Sequence, residues 1–344
     1  MMINETLEKF VDGHEVDRDE ARGAMAEIMS GACTPAQIGA FLVALRMRGE
    51  TVEQISGFAE AMRESCVRIT TRHENVVDTC GTGGDALDTF NISTAAALVT
   101  AAAGVPVAKH GNRSVSSRCG SADVLAELGV RIDLGPQEVE QCLDQHRIGF
   151  LFAPSHHPAM KHAIGPRREL GLRTVFNILG PLTNPAGARR QLLGVFDPAL
   201  TEVLAETLGA LGSEHALVVH GLDGMDELST TGTTRVSELR DGGVETFEVT
   251  PEQFGFERAT AQDLVGGDPA ESARGLLDAL SGEPSPARDI VALNAGGAIY
   301  VGGRVDSIEE GIALATEAIE SRAALDTLDA LRETTRALAA ARAQ

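Results

Sequence analysis

Nine residues, Lys109-His110-Gly111-Asn112-Arg113-Ser114-Val115-Ser116-Ser117, gather a lysine, an arginine, small hydroxyls and a glycine. Such a set fits a polyanion of the pyrophosphate kind, because guanidinium and ammonium groups pair with phosphate oxygens. Asn112 adds a neutral donor and acceptor that can orient a small substrate. A second stretch, Asp78-Thr79-Cys80-Gly81-Thr82-Gly83-Gly84-Asp85, removes side chains at three positions, so that backbone N–H groups can approach phosphate oxygens. Taken alone, a glycine-rich turn serves structure as readily as binding. This one is followed by Asn91-Ile92-Ser93-Thr94 at the start of a helical run. Hydroxyls and free N–H groups at a positive helix end form an anion site, although Ser93 or Thr94 could equally serve as an N-cap.

Further on, Asp226 and Glu227 stand side by side in HGLDGMDELS. Adjacent carboxylates beyond a strand suit magnesium, which takes few carboxylates and keeps waters and phosphate oxygens as its other ligands. Asp223 reads as a turn residue. Arg167, in GPRRELG, could clamp a carboxylate with its two-pronged geometry or pair with a surface acid. Ser121, in GSADVLAELG, could cap the next helix or touch the same ligand as the nine-residue stretch.

The elements that must position these residues are legible from periodicity. Glu5 to Val11 and Arg18 to Met29 are amphipathic helical runs. Thr34-Pro35-Ala36-Gln37 and Thr51-Val52-Glu53-Gln54 carry the capping-box pattern that starts a helix. After Arg72 short apolar strands alternate with helices: Val76 to Asp78, Val105 to Ala108, Gly149 to Ala153, RQLLGVF and HALVVHG. This alternation predicts an α/β fold with a mainly parallel central sheet flanked by helices. Ser237 to Val249 reads as a strand pair joined by a DGG turn, and the chain from Ile308 onward as alanine-rich helix. Ligands of such sheets bind beyond the strand ends, where the motifs fall, and Lys109 is placed just past a strand.

Composition narrows the function classes. The 344 residues hold 50 acids against 29 lysines and arginines, a net charge of −21. The only lysines are Lys9, Lys109 and Lys161. A diffuse acidic surface argues against nucleic-acid binding, which needs a basic footprint, and fits a protein kept soluble in high salt. No apolar run is long enough to span a membrane, and the polar start lacks a signal peptide, so a cytoplasmic protein is expected. Five scattered cysteines, Cys33, Cys66, Cys80, Cys119 and Cys142, indicate neither a zinc site nor a disulfide scaffold.

DTCGTGGD, NIST, KHGNR, GSADVLAELG, HPAMKH and RTVFNILGPLTNP, with NAGGAIYV near the end, stand in an order and spacing that resembles the anthranilate phosphoribosyltransferases. The resemblance spans nearly the whole chain. It implies a small, discontinuous all-helical domain, residues 1–72 with a helical insertion near 166–188, joined to a large α/β domain, residues 73–344. It implies a homodimer built through the small domain and an active site in the cleft between domains. By the same resemblance, Gly81, Gly84, Asp85 and Thr89 line the phosphoribosyl pyrophosphate site. Asn91, Ile92, Ser93 and Thr94 hold its phosphates, and Lys109, His110, Gly111, Asn112, Arg113, Ser114, Val115, Ser116, Ser117 and Ser121 cover it. Gly81, Asn112 and Arg167 contact anthranilate, while Ser93, Asp226 and Glu227 hold Mg2+. No residue is expected to act covalently; catalysis is positional and electrostatic. Two other readings are a pyrimidine nucleoside phosphorylase, which shares the broad fold but has no acidic pair for pyrophosphate-bound magnesium, and a non-catalytic nucleic-acid-binding paralogue, which the acidic surface opposes.

Overall fold

The computed structural model describes residues 1–84, 87–114 and 118–342. Four helices come first: α1 (Met2–Asp12), α2 (Arg18–Ser30), α3 (Pro35–Arg48) and α4 (Val52–Glu64). The caps are those the sequence predicts. Thr34 and Thr51 each accept from the N–H three residues on, while Gln37 and Gln54 reach back to the cap N–H groups. Asp17 and Glu20 close a third box ahead of α2.

The α/β part begins with β1 (Val77–Gly81), α5 (Ile92–Ala102), β2 (Val107–Gly111), α6 (Ser121–Glu127), α7 (Pro136–His146) and β3 (Ile148–Phe152). Next come short α8 (Ala153–His156), α9 (Lys161–Leu170), short α10 (Phe176–Leu179), β4 (Arg190–Gly194), α11 (Leu200–Ala210) and β5 (His215–Gly221). The hairpin β6 (Thr234–Arg240) and β7 (Gly243–Val249) follows, then α12 (Pro269–Ala279), α13 (Pro286–Val301), α14 (Ile308–Glu320) and α15 (Ala323–Arg342). The seven strands lie in the order β3-β2-β1-β4-β5-β6-β7. The first five are parallel, and the hairpin adds an antiparallel edge.

Period-two alternation splits the strands between two cores. Leu192, Leu217 and Val219 face a core built with α5, α13, α14 and α15. Leu193, Ala216 and Val218 face a second core, which continues through α11 into α2, α3 and α4. The N-terminal helices thus pack against α9 and α11 on one side of the sheet, with the aromatic trio Phe10, Phe41 and Phe58 between them.

Two boundaries differ from the sequence reading. The helix expected to open at Pro166 starts at Lys161 and runs through Pro166, and no helix extends beyond Leu182 in that segment. Pro166 is the sixth of the ten residues, inside the helix, so its missing N–H removes one bond from the helical ladder. Lys109, His110 and Gly111 are not past a strand. Pro106 has no N–H for the ladder, β2 begins only at Val107, and these three residues become its last.

Candidate active site

Strand connections reverse direction between β1 and β4, since β2 and β3 lie to one side and β4 and β5 to the other. Such a switch point opens a crevice beyond the strand ends. Asp226 fills its floor. A Cβ on Gly81, at the end of β1, would collide with the Asp226 carboxylate, and one on Gly194, at the end of β4, with its main chain. The Gly83 N–H donates to Asp226 Oδ2 at 2.9 Å. Gly83 and Gly84 take φ of +65° and +82°, which side chains disfavour. The loop carrying Asp226 and Glu227 is fixed from below. Asn294 of α13 accepts from Leu228 N at 2.9 Å and donates to Leu228 O at 2.9 Å. Asp223 closes the turn by accepting from the Met225 N–H and from the hydroxyls of Ser229 and Thr231.

Lys109 projects beneath the α5 N-terminus. Its ammonium donates to Thr79 O and, at 3.2 Å, to Ser93 Oγ. Burial pushes its pKa down, while Asp78, Glu227 and Asp226 pull it back up. α5 starts at Ile92 with Asn91 as its cap residue, so neither Ser93 nor Thr94 is the N-cap. Thr94 Oγ1 is buried with no partner among the described residues. Thr89 forms an isolated bridge with Val265 beside this end.

At the end of β2, Gly111 leaves room for Ser121 and Phe150, whose side chains a Cβ there would strike. Ser121 is the first residue of α6 and its Oγ donates to Asn112 O at 3.3 Å. Gly120 is the cap position instead, and Asp123 accepts from its N–H at 3.0 Å. Asp123 also holds Arg113 Nη1 at 2.6 Å and the Ser114 N–H at 3.1 Å, which folds the KHGNR loop back onto α6. Asp85, Val115, Ser116 and Ser117 lie outside the described residues.

The His110 ring lies 5.1 Å from that of His157, centroid to centroid. Burial pushes His110 down to about 3, with help from His157 and His156, and His157 down to about 4. Both rings are therefore neutral at pH 7, and the Nε2 of each is buried without a partner among the described residues. Arg167, on α9, is partly buried with its guanidinium 5.1 Å from the Phe176 ring centre. Among the described residues it has no carboxylate partner, so the surface ion pair is set aside. It shares no hydrogen bond with Asn112 or the other grouped residues.

Four side chains escaped the sequence reading. Asp78 and Asn184 form a buried pair, Oδ2 to Nδ2, at 2.6 Å. His157 stands against His110. Arg173 stacks 4.3 Å from the Phe196 ring centre and donates to Gly84 O, which ties the segment before α10 to the glycine-rich turn. A carboxylate in the apolar run VVDTC was the available signal for Asp78; for the others the sequence carries motif membership without a role.

The glycosyl transferase family a/b domain matches residues 73–325, and the family's helical bundle domain matches 4–66. The anthranilate phosphoribosyltransferase of Acetivibrio thermocellus is 54% identical over 334 residues, which cover 97% of both chains. This chain belongs to the anthranilate phosphoribosyltransferase family. Another family member, from Methanocorpusculum labreanum, is 53% identical over 96% of this chain and 97% of its own. The Thermus thermophilus anthranilate phosphoribosyltransferase crystal structure superposes with a TM-score of 0.91 at 43% identity, covering 96% of this chain and 99% of that one. The family's Saccharomyces cerevisiae enzyme, in complex with PRPP and Mg, does so at 0.88 and 28%, covering 97% and 98%.

Proposed function

We propose that this chain transfers the 5-phosphoribosyl group of phosphoribosyl pyrophosphate to the amine of anthranilate, a step of tryptophan biosynthesis. The products are N-(5-phosphoribosyl)anthranilate and pyrophosphate. One observation carries the reading: the Gly83 N–H, Ser93 Oγ, Lys109 ammonium and Asp226 carboxylate converge at one crevice. Gly81, Gly84, Asp85, Thr89, Asn91, Ile92, Thr94 and the stretch from Lys109 to Ser117 with Ser121 make up the phosphoribosyl pyrophosphate side. The Thr94 hydroxyl, without a partner among the described residues, supports that assignment.

Anthranilate falls to Gly81, Asn112 and Arg167. A partly buried guanidinium with no carboxylate of its own among the described residues is suited to capturing one from a ligand. Magnesium fits the residues present. Gly81 leaves the Asp226 carboxylate room that any Cβ would take, Glu227 adjoins it, and Ser93 offers a hydroxyl across the crevice. When bound, the ion neutralises charge that grows on departing pyrophosphate. Lys109 adds a fixed positive charge in a site shielded from water, where it counts for more than in solution. The aromatic amine carries a free lone pair at neutral pH, so the residues have only to hold it against the anomeric carbon.

We assign residues 1–72, with the segment near 166–188, to a small helical domain and residues 73–344 to a large α/β domain. A homodimer through the small domain is supported by Val11 and Met47, exposed apolar side chains on α1 and α3. No helix among the described residues is long and apolar enough to cross a membrane, which accords with a cytoplasmic enzyme. The charge of −21 supports salt adaptation: the melting temperature should rise from low to molar salt as repulsion is screened, and a flat or falling trend would refute it. The function is tested by offering phosphoribosyl pyrophosphate with anthranilate and magnesium, against thymidine with phosphate. Loss of anthranilate fluorescence in the first mixture alone is expected; turnover of thymidine alone would make the chain a nucleoside phosphorylase.

A further inference from the structure

β1 and β2 pair in register only once, at Val77 opposite Val107, whereas β2–β3 and β1–β4 each pair along five residues. The two strands therefore part just where the site begins, and side chains bridge the gap. The His110 N–H donates to Asp78 Oδ1 at 3.0 Å instead of to a β1 carbonyl. The other carboxylate oxygen accepts from Asn184 Nδ2 at 2.6 Å, and the same nitrogen donates to Ala108 O at 2.8 Å. Asn184 is oriented in turn by the Ala186 N–H, which donates to its Oδ1 at 2.9 Å. From the opposite strand the Lys109 ammonium reaches Thr79 O.

We propose that Asp78 is a positioning residue, whose buried carboxylate, aimed by Asn184, holds the β1 and β2 ends apart at the spacing that phosphoribosyl pyrophosphate requires. The inference rests on the function proposed above. A mere staple between strands needs no charge. Asp78 is fully buried, and burial pushes its pKa up to about 6, so an ionised carboxylate here costs stability at neutral pH. What the charge provides is a counter-ion for Lys109, itself buried, and two acceptor oxygens for two donors. An asparagine has one acceptor oxygen, so its amide nitrogen would meet either Asn184 Nδ2 or the His110 N–H, donor against donor.

The test is Asp78→Asn, with steady-state kinetics for each substrate varied separately and a melting curve beside them. Loss of a charge-assisted bond should raise KM for phosphoribosyl pyrophosphate or lower its kcat/KM by about 10- to 150-fold. KM for anthranilate should change far less, and the melting temperature should not account for the loss. Asn184→Ala should reproduce the selectivity more weakly. The double variant should lose less than the product of the two, because both residues act on one unit. Equal effects on both substrates, or a lower melting temperature with unchanged Michaelis constants, would overturn the inference and leave a staple. If Asp78→Asn does not fold, Asn184→Ala alone decides by the same criterion. Wild-type protein that transfers nothing overturns the functional reading as well, whereas active wild type with an unaffected Asp78→Asn overturns only this inference.

Discussion

The two ends of the sheet bury different sets of polar groups. At the amino end, beside the start of β5, His215 Nε2 and Tyr300 OH both meet Glu238 Oε1, at 2.8 and 2.7 Å, and Arg240 Nη1 donates to Tyr300 OH at 2.7 Å. The chain's one tyrosine is thereby satisfied within the fold. At the carboxyl end, Thr94 Oγ1, His110 Nε2 and His157 Nε2 are buried without partners among the described residues. The amino end holds a cavity of about 520 Å3, lined by Arg190, His215, Arg240 and Tyr300 among others. A cavity of that size could hold a small ligand. Arg190 Nε, in the lining of that cavity, is itself buried without a partner among the described residues, so orphaned groups alone do not choose between the ends. The Gly83 N–H, Ser93 Oγ, the Lys109 ammonium and the Asp226 carboxylate meet at the other end, and on that convergence we propose the ligand site there.

Substitutions at the two ends should therefore part company. The largest effect is expected from Asp226→Asn with Glu227→Gln. Turnover should fall about a thousand-fold, the several kcal/mol a Lewis-acid cation contributes, with the melting temperature little changed. Wild-type turnover at limiting magnesium would remove the acidic pair from the site. Next comes Arg167→Ala, which should raise KM for anthranilate by about 10- to 150-fold and leave that for phosphoribosyl pyrophosphate near wild type. Equal shifts in both constants would reduce Arg167 to packing against Phe176.

Tyr300→Phe reverses the pattern. It should cost about 1–3 kcal/mol in urea unfolding while kcat/KM stays unchanged, and an activity loss without a stability loss would erase the contrast. The smallest effect concerns acid. His110 and His157 titrate near 3 and 4 when folded, below the unfolded value of about 6.5. Their contribution is complete above that unfolded value and is lost as pH falls below it, because only the unfolded rings take up protons there. His110→Asn should flatten the decline in unfolding free energy between pH 6.5 and 4.5. An unchanged slope would mean that the ring is not buried neutral.

Much of this was legible in the sequence because it is local. Thr34 with Gln37 and Thr51 with Gln54 set helix starts within four residues, and the β6–β7 hairpin follows from a turn at Asp241-Gly242. The glycine-rich turn, KHGNR and the Asp226-Glu227 pair stand out by composition, and the Gly83 N–H, Lys109 and Asp226 come together in the fold. What stayed hidden depends on distance along the chain. Asp78 meets Asn184 across 106 positions, and Tyr300 meets Glu238 across 62. The burial of Lys109 was missed because a lysine at a strand end reads as loop, and only the opening between β1 and β2 gives it an interior course. The helical insertion read near 166–188 marks only the second half of α9, which starts at Lys161 and passes through Pro166.

The claim that the ligand binds at the carboxyl end can be tested by hydrogen exchange with phosphoribosyl pyrophosphate and magnesium added. The account predicts slower exchange in residues 78–84, 92–94 and 109–114, and no change at Ser213 to His215 or Arg240 to Gly242. Protection confined to the amino-end cavity, or none at the carboxyl ends of β1 and β2, would contradict it.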